Sequence, residues 1–162
     1  MDNFGFKDLI DMRKLRIVGQ LPTSETTPSL LTAKMESLRS GNREIQQGEI
    51  SLAGIRKAHL LKVSAQNEKS KFYVQLAGGF NAQNDWLGQI QKGDFDSLRA
   101  RLVQRQSAAV VYNSAKADLL IGAHCWMSQQ SQLCFDQPIR VSKTRGNISF
   151  LTQNLDLNDF AA

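Results

Sequence analysis

Hydrophobic and polar residues alternate along most of this chain. His59, Leu61, Val63 and Ala65 share one phase, with Lys62 and Ser64 in the other. Phe72, Val74 and Leu76 stand together, Trp86 aligns with Ile90, and Leu31, Ala33 and Met35 form another apolar phase. The same holds for Ala108, Val110 and Tyr112, and for the pairs Leu119 and Ile121, Ile139 and Val141, Ile148 and Phe150. Successive side chains of a strand point to opposite faces, so each segment reads as a strand with one apolar and one wet face. Turn signals separate the segments: the polar run 66–70, Gly78-Gly79 before the Asn-rich 81–85, Asn113-Ser114, and Arg145-Gly146-Asn147. They recur roughly every ten to fifteen residues, which predicts an antiparallel meander rather than strands alternating with helices. The prolines Pro22, Pro28 and Pro138 fall at strand edges or loops, with 22–28 read as a loop.

Two stretches also fit helical spacing. Phe6, Leu9 and Ile10 do so near the N-terminus. In 94–104 a helical face of Phe95, Leu98, Leu102 and Val103 follows Asp94 as a candidate N-cap. There Leu98, Ala100 and Leu102 also alternate with Arg99, Arg101 and Val103, which suits a strand, so both readings stand. The predicted organisation is a strand or loop segment over 1–29 and a sheet over 30–162, the two read as one continuous domain.

Hydrophobic residues make up 41% of the 162, enough for a core. No apolar run reaches the roughly 18 residues of a membrane-spanning helix. Residues 1–15 lack the basic start and unbroken apolar stretch of a secretory signal. This predicts either a cytosolic protein or a piece of a longer exported chain. The net charge is +5, but the basic residues are dispersed, as in Lys57, Lys62, Lys69, Lys71, Arg99, Arg101 and Arg105. With aromatics at 7%, the interleaving of cations and stacking rings that nucleic-acid binding needs is absent, so no nucleic-acid partner is expected.

The chemistry-bearing residues are few. There is no glycine-rich phosphate loop followed by Lys-Ser or Lys-Thr. His59 and His124 are the only histidines, and His124 with Cys125 and Cys134 falls short of a four-ligand zinc site. His124 and Cys125 are adjacent, so alternation sends them to opposite faces and they do not form a nucleophile pair. No carboxylate pair stands in an apolar setting. No enzyme activity, cofactor or metal is expected. Cys125 and Cys134 flank a polar stretch suited to a hairpin tip, where a disulfide meets the distance limits and would point to an oxidising compartment. Two unrelated buried thiols are the alternative.

At Gly122-Ala123-His124-Cys125-Trp126 and Leu133-Cys134 the chain resembles the family of the translocation and assembly module subunit TamB. These are long Gram-negative proteins related to the AsmA-like lipid-transfer group, with a Gly-x-His-Cys-Trp and Leu-Cys motif in their later portion. Gly54 and His59 followed by Leu61 and Val63, then Trp86-x-Gly88-x-Ile90, and Asn154-Leu155-Asp156-Leu157 after Gly146, are similar to further family segments. The similarity runs from about Leu30 to Phe160. The chain departs from the pattern near Leu102, where an aromatic is usual, and in the charge of 94–105.

The resemblance implies a fragment of a longer protein anchored in the inner membrane and lying in the periplasm. It implies an all-β fold, an elongated curled antiparallel sheet like a half-pipe with a hydrophobic concave face. The pattern agrees, because a sheet with one apolar face must curl on itself, pack on a second sheet or bind something apolar. The groove lining is predicted as Leu61, Val63, Phe72, Val74, Leu76, Trp86, Ile90, Val110 and Ile121. In a closed two-sheet sandwich the same residues would form the core. The implied function is conduction of phospholipid acyl chains between the two membranes in support of outer-membrane assembly, with TamA as outer-membrane partner. The alternative is a scaffold for nascent outer-membrane β-barrel or autotransporter strands.

Overall fold

The structure, a computed structural model, describes residues 11–21, 24–40, 43–98 and 100–155, apart from the side chains of Asp11, Ser40 and Arg43. Among them there are fourteen strands and no helix. The first six are β1 (Asp11–Gln20), β2 (Ser29–Ser40), β3 (Arg43–Ile55), β4 (Ala58–Gln66), β5 (Ser70–Phe80) and β6 (Trp86–Ser97). The next four are β7 (Arg101–Gln104), β8 (Ala108–Asn113), β9 (Asp118–Ile121) and β10 (His124–Met127). The last are β11 (Gln132–Phe135), β12 (Ile139–Val141), β13 (Gly146–Asn147) and β14 (Leu151–Gln153). All join one antiparallel sheet that is not closed into a barrel, with spatial neighbours following chain order from β1 to β6.

Beyond β6 the strands are broken in mid-length. β6 pairs with β8 through Trp86–Ile90 and with β7 through Asp94–Asp96. The two partners are one rung interrupted at 105–107. In the same way β9 and β10 form a rung broken at 122–123, β11 and β12 one broken at 136–138, and β13 and β14 one broken at 148–150. The line of breaks begins in β6 itself. There Gln75 faces Lys92 while Leu76 faces Ile90, so Gln91 is an extra residue. Such a bulge bends its strand and sharpens the twist. The result is a crease running across the second half of the sheet.

The sense of the curl follows from Phe72 and Trp126. They stand on β5 and β10, three strand steps apart, which is roughly 14 Å on a flat sheet. Their rings stack with centroids 6.3 Å apart. The sheet therefore closes toward the face that carries both, called inner here. The opposite, outer face is polar in the lower halves of β1–β7. Lys14 bridges Glu36 at 3.1 Å, Lys34 bridges Glu49 at 3.3 Å, and Arg101 bridges Asp94 at 2.7 Å. Exposed pairs of this kind contribute at most about 1 kcal/mol each, so what they settle is which face meets water.

Several expectations are corrected. Of the two readings left open for 94–104, the helix with Asp94 as its cap is the one that fails. These residues are the end of β6, a turn in which Ser97 N–H donates to the Ala100 carbonyl at 2.8 Å, and β7. Phe95 and Leu102 lie opposite each other, and pairing of the two apolar residues across the hairpin overrides the helical spacing. The turn expected at Arg145-Gly146-Asn147 is made one step earlier, where Ser142 N–H donates to the Arg145 carbonyl at 2.8 Å, and Gly146 and Asn147 form β13. Ile148 and Phe150 lie in a break between strands. The helical spacing of Phe6, Leu9 and Ile10 falls outside the described residues.

Cys125 and Cys134 stand directly opposite on β10 and β11, disulfide-bonded, with Cα atoms 4.1 Å apart. Chain folded under oxidising conditions is expected to weigh two hydrogen atoms less than reduced chain in intact-mass spectra, and free thiols there would refute the pairing. Cys134→Ser is expected to cost about 2–3 kcal/mol in urea unfolding, the loop-entropy value for a loop this short.

Candidate functional site

Directly opposed residues in a ladder point to the same face, so the registers define the inner face. Leu61 faces Leu52 and Leu76, and Leu76 faces Ile90, which faces Ala108. Val63 faces Ile50 and Val74. Phe72 faces Ala65 and Phe95, Val110 faces Gly88 and Ile121, and Trp86 faces Phe80 and Tyr112. The nine residues singled out from the sequence thus share one face. No Asp, Glu, Lys or Arg stands on this face from β4 to β11.

Burial along this face is graded. Ile90, Ala108 and Val110 are buried, with half-buried Val74, Leu76, Trp86, Leu119 and Ile121 packed against them. Toward β1 the face opens: Ile50 is 47% exposed and Ile17 60%. A hollow of about 410 Å³ lies at its upper end, lined by Leu21, Leu52, Ile55, His59 and Phe80.

Two aromatic groups shape the face. Trp86 crosses over Gly78 to reach β4, where its Nε1–H donates to His59 Nε2 at 2.8 Å. His59 must then carry its proton on Nδ1, which donates to the Ile55 carbonyl at 3.2 Å. A Cβ at Gly78 would lie 2.6 Å from the Trp86 ring, so only glycine leaves room for this crossing. Phe80 lies beside His59, with the Arg56 guanidinium 5.1 Å from its centroid. At the crease Trp126 covers Gly93, where a Cβ would lie 2.2 Å from the indole. His124 is buried and stacks on Phe135 at 4.8 Å, its Nδ1–H donating to the Gly122 carbonyl at 2.8 Å. Gln104 Nε2 donates to the Gln106 carbonyl at 2.6 Å and the Ile90 carbonyl at 3.4 Å, spanning the break between β7 and β8.

The polar chemistry lies elsewhere. Asp85, at a hairpin tip, accepts the Ser114 backbone N–H at 2.8 Å, and this bond foremost holds its carboxyl below the ordinary carboxylate range. Arg101 is held above its usual range by its bond to Asp94. A polar hollow of about 570 Å³ on the outer face, lined chiefly by residues such as Lys34, Glu49, Ser64, Tyr73 and Asp94, reflects the saddle shape of a twisted sheet. Cys125 points away from His124 and is bonded to Cys134. No group of three or more His, Cys, Asp or Glu gathers among the described residues, and no helix there is long and apolar enough to cross a membrane.

Sequence reasoning left out part of the same face: Ile50 and Leu52 on β3, Phe95 and Leu102 beside the bulge, and Trp126, Leu133 and Phe135 beyond the crease. Trp126 shares a phase with His124, a signal present in the sequence. The β3 signal is diluted by Gln46, Gln47 and Gly48, and that of Phe95 is hidden because its phase is opposite to that of Ile90.

No solved structure matches the chain. The family model described as TamB, N-terminal domain, matches residues 1–162. It corrects the expectation that the His-Cys-Trp motif belongs to the later portion of these proteins, because the region matched is the N-terminal domain. The open antiparallel sheet, its uncharged apolar face and the Cys125–Cys134 hairpin all lie within the matched span. The chain therefore belongs to the TamB family of envelope transport and assembly proteins.

Proposed function

We propose that the inner face is a segment of a hydrophobic conduit that carries phospholipid acyl chains between the inner and outer membranes. The observation that carries this reading is a face without charges, running from β4 to β11 and half open to solvent toward β1. A sheet needs no such exposed apolar area for its own stability, and monomeric soluble proteins seldom leave large contiguous patches of it. Each buried methylene contributes roughly 0.8 kcal/mol, so a tail of about 16 carbons gains on the order of 10 kcal/mol before entropic costs. Such binding selects by shape and apolarity and uses no catalytic group. The segment works in the periplasm as part of an inner-membrane-anchored protein that meets TamA at the outer membrane. The lining is Leu61, Val63, Phe72, Val74, Leu76, Trp86 and Ile121, with Ile90 and Val110 packed beneath them as the buried floor.

A second reading draws on β1, which pairs only with β2 among the described residues and so presents an open edge. Open edges accept further strands, and nascent outer-membrane proteins are strand-rich. Photo-crosslinkers at Val74 and Leu76, with Lys71 in the lower half of the outer face as control, separate the two in cells. Lipid adducts at the first two positions and not at Lys71 are expected. Protein adducts alone at Val74 and Leu76 would replace the conduit by the scaffold.

A further inference from the structure

The outer face is not polar throughout. In its upper half Leu120 faces Val111, which faces Leu87, and one row below Ala77 faces Leu60, which faces Ala53 and then Leu30. Leu87 is 47% exposed, and with Leu60, Ala77 and Ala53 it lines a hollow of about 790 Å³. From Leu120 on β9 to Leu60 on β4 is four strand steps, roughly 19 Å. One leaflet of a bilayer core is about 15 Å deep, so the strip has the length of one acyl tail.

At the Leu120 end the strip meets charge. Asp118 is next but one to Leu120 on β9, and Arg140 faces Leu120 and Asn147. Asp118, Arg140, Ser142, Arg145 and Asn147 line a hollow of about 590 Å³. Asp118 Oδ1 is buried and accepts no hydrogen bond. The guanidinium groups of Arg140 and Arg145 are in no ion pair among the described residues. A lone buried carboxylate oxygen calls for a donor, and two unpaired guanidiniums call for an oxyanion. A bare anion would pair with the arginines but leave Asp118 Oδ1 without a donor, and a bare cation would do the reverse. A group that carries an ammonium and a phosphate a few bonds apart satisfies both.

From this juxtaposition we infer that the outer face holds one zwitterionic phospholipid of the phosphoethanolamine class. Its ammonium donates to Asp118, its phosphate lies between Arg140 and Arg145, and one tail lies along Leu120, Val111 and Leu87. This site is on the face opposite the conduit and does not rest on it.

Methyl-labelled 162-residue chain, titrated with dihexanoyl phosphatidylethanolamine or dihexanoyl phosphatidylglycerol, reads the two faces separately. Leu120, Val111 and Leu87 report the outer strip, and their neighbours Ile121 and Val110 report the inner face. Saturable shifts at the outer methyls are expected, with the ethanolamine lipid binding at least fivefold tighter than the glycerol lipid. Asp118→Asn should abolish that preference, and the double variant Arg140→Gln, Arg145→Gln should weaken both lipids about tenfold. The double change is confined to exposed side chains, so it serves even where Asp118→Asn disturbs folding. Equal affinity for the two lipids, indifference to the arginine changes, or shifts confined to Ile121 and Val110 would each overturn the outer site. Only the last of these leaves the conduit supported, and outer shifts without inner ones count against the conduit alone.

Discussion

Val110→Asp is expected to unfold the chain, while Ile50→Asp on the same face is expected to leave it folded and block the apolar path. Val110 is 4% exposed and packs with Ile90 and Ala108. An unpaired carboxylate there has neither water nor a partner, and the cost is several kcal/mol. A domain of this size holds about 5–15 kcal/mol in total. Ile50 is 47% exposed, so an aspartate there keeps its hydration. Its cost is the half-buried apolar surface lost and a weaker strand preference, together about 1–2 kcal/mol. A tail passing along the face would nonetheless meet a hydrated charge between Ala33 and Val63, the two neighbours of Ile50. Thermal melts of the two variants, read beside crosslinked lipid yield at Leu76, check this. If Ile50→Asp melts as low as Val110→Asp, the face is a closed core and the conduit reading fails.

The second large effect concerns the crease. Gly93→Val is expected to destabilise by about 1–3 kcal/mol, because its side chain would enter the space of the Trp126 indole. Trp126→Ala is expected to cost about 2–4 kcal/mol, toward the low end of large aromatic truncations since the residue is half-buried. In the double variant the valine fills part of the space left by the indole, so the combined cost should fall short of the sum by about 1–2 kcal/mol. Urea unfolding of the three variants measures this. Strictly additive costs would mean that Trp126 does not cover Gly93 and that the sheet is flat there.

Much of the fold was legible because alternation is local. The phases of β4, β5, β8 and β9, read from short windows, are the phases seen in the ladders, and the polar runs at 66–70 and 81–85 are hairpin tips. Less legible were β1 and β3. In β1, Leu15 and Ile17 alternate with Lys14 and Arg16, but the apolar side is short and exposed. In β3, glycine and glutamines thin the apolar phase. Residues 94–104 supported two periods equally, and pairing of Phe95 with Leu102 chose between them.

The sequence by itself determined the strand character of the chain, the division of most strands into an apolar and a polar side, and a polar hairpin able to bring Cys125 and Cys134 together. These follow from a backbone repeat of two residues and from a short polar hairpin, both encoded within a dozen residues. Only the tertiary structure decided the crease, the direction of curl and the continuity of the inner face. Ile90 and Phe95 have opposite phases in sequence, yet the extra Gln91 puts both on one face. That extra residue is visible only against β5, whose register is set by cross-strand pairing. Phe72 and Trp126 meet because the sheet bends between them. His124 is a buried stacking residue because the β10–β11 register sets it directly opposite Phe135. Local period settles which way a side chain points relative to its own strand, and long-range pairing settles what it meets there.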